Sequence, residues 1–157
     1  MTTTTTRTTT KASVVTKSTT TKKTTKVPAA KFLDGDAMLS LINAERERLG
    51  LSTLSIGASL TSSARVRAKE ICTSFSHTRP NGKNWDTVLN KTGLTMWGEN
   101  IAAGTNYTKV DLPFDAWMNS PGHYANMIKD GFNRVGIVGY YCPDGKYKYY
   151  WAQLFSS

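Results

Sequence analysis

The sequence predicts one α+β domain that follows a polar N-terminal segment. Two stretches early in the domain, around Ile42 and around Ala64, repeat apolar residues with the period of an amphipathic helix. Near the C-terminus, β-branched and aromatic residues flank Asp144-Gly145, a dipeptide typical of hairpin turns. Helices first and an antiparallel strand pair last indicate an α+β fold.

Residues 1–31 are predicted to be a disordered, Thr/Lys-rich linker, and residues 32–157 the folded domain. Residues 2–26 contain 14 threonines and six basic residues but no acidic or aromatic residue. Such a segment cannot bury enough apolar surface to offset the conformational entropy that it would lose on ordering. All sixteen aromatic residues follow position 31.

The net charge of +9 belongs mainly to this segment. Residues 1–31 carry seven Lys or Arg and no acid, whereas the remainder carries 13 basic and 11 acidic residues. A nearly neutral domain has no electrostatic reason to bind nucleic acid, so we predict no nucleic-acid partner. No apolar run resembles a transmembrane segment or a signal peptide. The chain is then either intracellular or a piece of a longer secreted precursor, and its beginning within a linker-like stretch favours the second.

The first helix is predicted to have Asp36 as its N-cap and to end at Gly50, a residue suited to the C′ position. The charged residues 46–48 are expected towards the side opposite the core. The predicted apolar face comprises Met38, Leu41, Ile42, Glu45 and Leu49.

The second helix is predicted over residues 58–74, with an apolar stripe that ends at Phe75. The turn residues 80–82 follow it. A short helix is expected around residues 85–89, and GENIAAG at 98–104 is expected to open another helical turn.

A third helix is predicted to contain Phe114 and Trp117, with Trp117 buried on its apolar face. Pro121 and Gly122 should interrupt this helix, because proline removes a backbone donor and glycine favours turns. His123 is then expected to follow the break.

The chain has only two histidines, His77 and His123, and both lie in short, turn-rich stretches with Glu99 between them. Two imidazoles and one carboxylate suffice for an open Zn²⁺ site with water in the fourth position. The separations of 22 and 24 residues require the fold to bring the three together, so spacing alone is weak support. The alternative is that the histidines bond to backbone at helix ends while Glu99 caps a turn.

A nucleophilic site is another alternative. Ser74, Ser76 and Ser120 lie near the histidines, and a Ser–His–Glu arrangement with Glu99 is conceivable. Ser120 precedes Pro121, however, and turn chemistry explains it better than a strained nucleophile elbow.

The two cysteines, Cys72 and Cys142, lack the close spacing of a metal knuckle or a redox motif. They are equally compatible with one disulfide in an oxidising compartment and with two separate small hydrophobic side chains.

Six motifs in order resemble the CAP superfamily, which includes cysteine-rich secretory proteins, antigen 5 and plant pathogenesis-related proteins. The resemblance covers about residues 34–156 and is strongest to the bacterial branch of SCP-like extracellular proteins. The motifs are LINAERERLGLSTLSIGASLTSSARVRAKEI, FSHTRPNG, GENIAAG, AWMNSPGHYANM, VGIVGYY and YYWAQLF.

The resemblance implies a three-layer α–β–α sandwich with a small antiparallel sheet, and a cleft lined by two histidines and two acids. His77, Glu99 and His123 match three of these positions, and Asn119 stands where the second acid usually falls. A neutral amide is a poor substitute for a carboxylate on a metal ion. We therefore expect at most weak binding of Zn²⁺ or Mg²⁺ and no other cofactor.

The resemblance also implies a monomeric, secreted or surface-displayed module that binds a lipid, a glycan or a partner protein in or near this cleft. The alternative is a metal-dependent hydrolase or peptidase that uses the same residues. Binding is favoured over catalysis, because no convincing nucleophile is present.

Overall fold

The computed structural model describes residues 1–3 and 29–157, and it places one sheet between two layers of helices. Residues 4–28 of the predicted linker lie outside the described residues. Lys31, which the prediction assigned to the linker, is the first residue of a strand. The strands are β1 (Lys31–Asp34), β2 (Ser55–Ile56), β3 (Trp97–Gly104), β4 (Arg134–Tyr141) and β5 (Tyr149–Ser156). The helices are α1 (Asp36–Arg48), α2 (Ala58–Thr73), α3 (Asp111–Met118) and α4 (Pro121–Met127), with a 3₁₀ turn at Trp85–Val88.

The sheet has the strand order β1-β4-β5-β3, and its pairs along this path are antiparallel. The short strand β2 pairs in parallel with the start of β4, and β1 pairs with the later part of β4. Both lie on the side of β4 that faces away from β5. The predicted hairpin is the β4–β5 pair. In β3, Glu99 lies opposite Leu154, and Asn100 lies opposite Gln153.

Alternate residues of the strands face two separate cores. Leu154 and its even-numbered neighbours pack against α2, whereas Phe155 and its odd-numbered neighbours pack against α1, α3 and α4. The predicted α–β–α sandwich is therefore confirmed. Gly136 lies where α2 comes closest, because a Cβ there would stand 2.3 Å from the carbonyl carbon of Leu60.

The buried face of helix α1 is not the one that was predicted. The helix begins at Asp36 rather than after it, and the Asp34 carboxylate accepts the Asp36 N–H at 2.9 Å. Arg46, which we expected towards the opposite side, is fully buried, and Leu49 is exposed. The signal was present in the sequence, because Met38, Ile42 and Arg46 follow one another at intervals of four residues.

The buried Arg46 side chain ties the end of α1 to two loops. Its Nε donates to the carbonyl of Ser52 at 2.7 Å, and its Nη1 donates to those of Met127 and Lys129 at 2.9 and 3.1 Å. Its Nη2 donates to the carbonyl of Phe132 at 3.1 Å. Four backbone acceptors thus replace the water that a buried guanidinium loses.

Two further predictions are wrong. Phe75 lies beyond the end of α2 and is 47% exposed, so it does not continue the buried stripe. GENIAAG is not a helical turn but most of β3, whose central residues are buried. Its pairing with β5 along eight residues outweighs the weak strand preference of Gly, Asn and Ala.

Helices α3 and α4 cover the outer edge of β3. Trp117 is buried as predicted, and its Nε1 donates to the carbonyl of Ile101 at 3.2 Å. Asn126 Nδ2 donates to the carbonyl of Glu99 at 3.2 Å. A break does separate α3 from α4, but it lies at residues 119–120 and not at Pro121 and Gly122; α4 begins at Pro121, so His123 lies inside this helix.

A disulfide joins Cys72, near the end of α2, to Cys142, directly after β4. This finding decides between the two interpretations of the cysteines. None of the helices in the described part of the chain combines the length and the apolar composition of a membrane span.

Candidate functional site

The candidate site straddles β3, the last strand on its side of the sheet. Successive strand residues point to opposite faces, so Glu99 faces α2 whereas Asn100 faces α4. His77 lies in the loop after α2 and His123 lies on α4. The loop of His77 and the helix of His123 therefore lie on opposite faces of β3.

A buried ion pair holds Glu99 in place. Arg67 Nε donates to Glu99 Oε2 at 2.6 Å, and Arg67 Nη2 donates to Oε1 at 3.2 Å. Both side chains have 0% exposure. Such a forked, fully desolvated pair is geometrically specific, and removing one partner would leave the other charge uncompensated.

His77 is bound directly to this pair. Its Nδ1 lies 2.7 Å from Glu99 Oε1, and a carboxylate can only accept, so Nδ1 carries the proton. The Nε2 atom is therefore the ring nitrogen that remains for a ligand. The His77 side chain is 55% exposed, so its ring is accessible from solvent.

Glu70 and Arg79 hold the loop that carries His77. Glu70 accepts from Arg67 Nη1 at 2.7 Å and from Arg79 Nη2 at 2.7 Å. Arg67 also donates to the carbonyl of Ser76, next to His77, at 2.7 Å. Two arginines and two glutamates thus form one network whose formal charges cancel.

His123 is positioned mainly through its backbone. Asn100 Nδ2 donates to the His123 carbonyl at 3.0 Å, and Asn126 Nδ2 donates to Asn100 Oδ1 at 2.9 Å. The His123 Nδ1 atom lies 2.8 Å from Ser120 Oγ. Burial, and then the nearby charge of His77, lower the pKa of His123 below its ordinary value.

Helix α1 holds α4 from the other side. Tyr124 donates its hydroxyl to Glu45 Oε1 at 2.7 Å. Hydrogen bonds from Arg48 and then from Tyr124 lower the pKa of Glu45 to about 2. The helix that carries His123 is thus fixed by side chains of both α1 and β3.

The predicted site residues are brought together to different degrees. His77 and Glu99 are in direct contact, and the charge of His77 acts on His123. Asn119 is exposed, and its Nδ2 donates to the carbonyl of Asp115 at 2.8 Å, within its own helix turn. Its amide therefore makes no hydrogen bond to the other three residues.

A metal ion fits these residues poorly. Within residues 29–157, no group of three His, Cys, Asp or Glu side chains is arranged to hold a metal ion. Both oxygens of Glu99 are bound to Arg67, and the guanidinium charge opposes a cation at that carboxylate. Glu99 acts as the partner that orients His77, and we assign no chemical step to a metal.

The Ser–His–Glu alternative fails on connectivity. Ser120 contacts His123, whereas Glu99 contacts His77, so the three groups do not meet at one imidazole. Ser120 is the N-cap residue of α4, but its hydroxyl contacts the ring of His123 and caps no backbone N–H of the helix. The hydrolase alternative is not favoured.

Sequence reasoning missed the polar residues that support the histidines. Arg67 lies on α2 among Ala64, Ala68 and Ile71, and a lone arginine in an apolar stripe is a detectable signal. The sequence does not indicate that Asn100 is buried, because an asparagine between Glu99 and a short apolar run is equally typical of a turn.

Comparison with known proteins identifies the family. The profile of the Cysteine-rich secretory protein family, CAP, matches residues 39–155. The chain belongs to the CAP family. This CAP domain is 32% identical over 121 residues to the uncharacterized protein YkwD of Bacillus subtilis, covering 74% of the chain and 46% of that relative. The chain therefore spans less than half of the length of this relative.

Solved structures confirm the fold. An outer surface protein of Borrelia burgdorferi superposes with a TM-score of 0.69 at 21% identity, covering 82% of this chain and 98% of that one. An extracellular protein of Bacillus anthracis that contains an SCP domain gives a TM-score of 0.64 at 26% identity, covering 76% and 39%. These relatives confirm the predicted place among bacterial SCP-like domains.

Proposed function

We propose that this CAP domain is a secreted or surface-displayed module that binds a lipid, a glycan or a partner protein in the cleft of His77, Glu99, Asn119 and His123. The observation that carries the proposal is the chain from Arg67 through Glu99 to His77, in which a buried ion pair orients a half-exposed imidazole. A fixed, accessible hydrogen-bonding group is what a binding site requires.

The arrangement supports binding more than catalysis. The buried carboxylate is neutralised by Arg67, and Ser120 has no acid behind its histidine. The Nε2 of His77 can accept a hydrogen bond from a bound molecule.

An extracellular location is supported by two observations. The Cys72–Cys142 disulfide suits an oxidising compartment. The structural relatives are described as an outer surface protein and an extracellular protein. The same proposal includes a linker role for the Thr/Lys-rich segment that precedes β1.

The test is NMR of the two imidazole rings in the full chain. The probes are phosphatidylglycerol vesicles, an N-acetylglucosamine tetramer and Zn²⁺, each added separately at constant pH. We expect the vesicles or the tetramer to shift both ring signals, and His77→Gln to weaken that response.

Two control variants separate the outcomes. Lys83→Gln changes an exposed charge outside the cleft and should leave the response intact. A response that persists in both His77→Gln and His123→Gln would place binding elsewhere and contradict the proposal. A response to Zn²⁺ alone, lost in Glu99→Gln, would favour the metal-dependent alternative instead.

A further inference from the structure

A second concave surface lies on the opposite flank of α2 from the His77 cleft. It is a groove of about 470 Å³ between α2, the edge strand β1 and the short strand β2. It shares no lining residue with the cleft. The groove is lined by Phe32, Leu33, Asp34, Gly35, Asp36, Ile56, Thr61, Arg65, Ile137 and Val138.

One end of the groove is basic. Arg65 and Lys69 lie one turn apart on α2, and their charged groups lie 4.7 and 5.1 Å from the centre of the Phe32 ring. In the part of the chain that the structure describes, neither side chain forms an ion pair. Two cations held against one aromatic ring leave their charge available to an anionic group.

The other end is acidic. Asp34 lies on the same face of β1 as Phe32, because side chains alternate along a strand, and about 7 Å separates the two positions. Asp34 Oδ1 accepts the backbone N–H of Asp36, which brings these two carboxylates to the start of α1. A cation placed there would face two negative side chains.

The floor between these ends is apolar, with Val138 of β4 and the 43% exposed Ile56 of β2. Thr61, one turn before Arg65, also lines the groove. Its hydroxyl oxygen is buried and has no hydrogen-bond partner among the described residues. An unpaired buried hydroxyl is costly, and a polar ligand group in the groove would satisfy it.

We propose that this groove binds a free α-amino acid with an apolar side chain. The ligand carboxylate lies at Arg65 and Lys69, and its ammonium group lies at Asp34 and Asp36, where the Thr61 hydroxyl adds an acceptor. The apolar side chain packs on the floor. Opposite charges at the two ends favour a zwitterion over a simple anion or cation, since either would be repelled at one end.

The probe for this proposal is L-leucine, added to the full chain and followed by the backbone amide signals of groove residues. We expect a saturable response with a dissociation constant on the order of 1 mM, as suits a ligand of this size. N-acetyl-L-leucine lacks the ammonium charge and L-leucinamide lacks the carboxylate. Each should bind at least about tenfold more weakly, because each loses one of the two ionic contacts.

Three variants test the residues. Arg65→Gln and Asp34→Asn should each weaken L-leucine binding about tenfold, while Lys83→Gln should not change it. Thr61→Val should raise the melting temperature of the free protein, because an unpaired hydroxyl is removed, and should reduce the affinity for L-leucine.

Three outcomes would overturn the proposal. The first is that L-leucine gives no saturable response. The second is that N-acetyl-L-leucine and L-leucinamide bind as tightly as L-leucine. The third is that the Arg65, Asp34 and Thr61 variants bind L-leucine with wild-type affinity. His77→Gln, which alters the cleft, should leave L-leucine binding unchanged, so a failure of the proposed function is distinguishable from a failure of this inference.

Discussion

Two fully buried arginines stabilise this CAP domain in different ways. Arg46 on α1 donates only to backbone carbonyls, whereas Arg67 on α2 donates mainly to carboxylates. Burial lowers the pKa of Arg46. Burial also acts to lower the pKa of Arg67, but the hydrogen bonds to Glu99 and Glu70 outweigh it, and the pKa is raised.

The difference shows how the partners of a buried charge indicate its role. Carbonyls are fixed by the backbone, so Arg46 stabilises one arrangement of the loops around Met127 and Phe132. Carboxylates can also bind other groups, and Glu99 binds His77. Arg67 therefore supports the candidate site as well as the fold.

The largest expected effect is that of Arg46→Ala. We expect it to lower the free energy of unfolding by about 3–5 kcal/mol, because several buried carbonyls lose their donor together. Urea unfolding measures the change. Arg48→Ala, two residues along the same helix but exposed, should remain close to wild type, and similar losses in the two variants would refute the role given to Arg46.

Arg67→Met should cost about 3 kcal/mol, because Glu99 keeps a buried charge without its main partner. Adding Glu99→Gln removes that charge and should recover at least about 1 kcal/mol of the loss. When Glu99→Gln is combined with Arg46→Ala instead, the two changes in unfolding free energy should simply add. If Glu99→Gln restored the same free energy of unfolding in the Arg46→Ala and the Arg67→Met variants, the two arginines would not differ in the way described.

The stability of the domain should also depend on pH, through His123 on α4. The pKa of His123 is lowered in the folded state, so the unfolded chain binds more protons between that pKa and the ordinary value of 6.5. The contribution of His123 to stability is therefore complete above pH 6.5 and decreases as the pH falls through its lowered pKa. Melting curves from pH 7.5 to 5 should show a smaller acid-induced loss in His123→Gln than in wild type.

The smallest effect should follow from removing residues 1–28. This segment is rich in Thr and Lys and has few apolar residues, so we expect the melting temperature to stay nearly unchanged. Calorimetry of the two chains tests this. A decrease of more than about 3 °C would show that the N-terminal segment contributes to the stability of the domain.

The fold was predictable where local pattern and tertiary environment agree. The spacing of apolar residues in α1 and α2, and the Asp144-Gly145 turn, were sufficient for the helices and the hairpin. Strand β3 was missed because its residues favour turns, and only its pairing with β5 makes it a strand. Strands β1 and β2, of four and two residues, are too short to show a period.

The candidate site was predictable in part. The resemblance to the CAP superfamily pointed to His77 and Glu99, which do meet, whereas the spacing of these residues alone did not require it. The partner of Glu99 could not be inferred in this way. Arg67 reaches it across 32 residues of sequence, and only the packing of α2 on the sheet determines that contact.

The cover over β3 has a consequence for the behaviour of this domain in a crowded solution. A strand at the border of a sheet offers unpaired carbonyls to which a second chain can add, the first step of edge-to-edge aggregation. Here Trp117 and Asn126 already occupy the carbonyls of Ile101 and Glu99 on that border. The side chains that hold α3 and α4 against β3 thereby also shield the sheet from intermolecular strand addition.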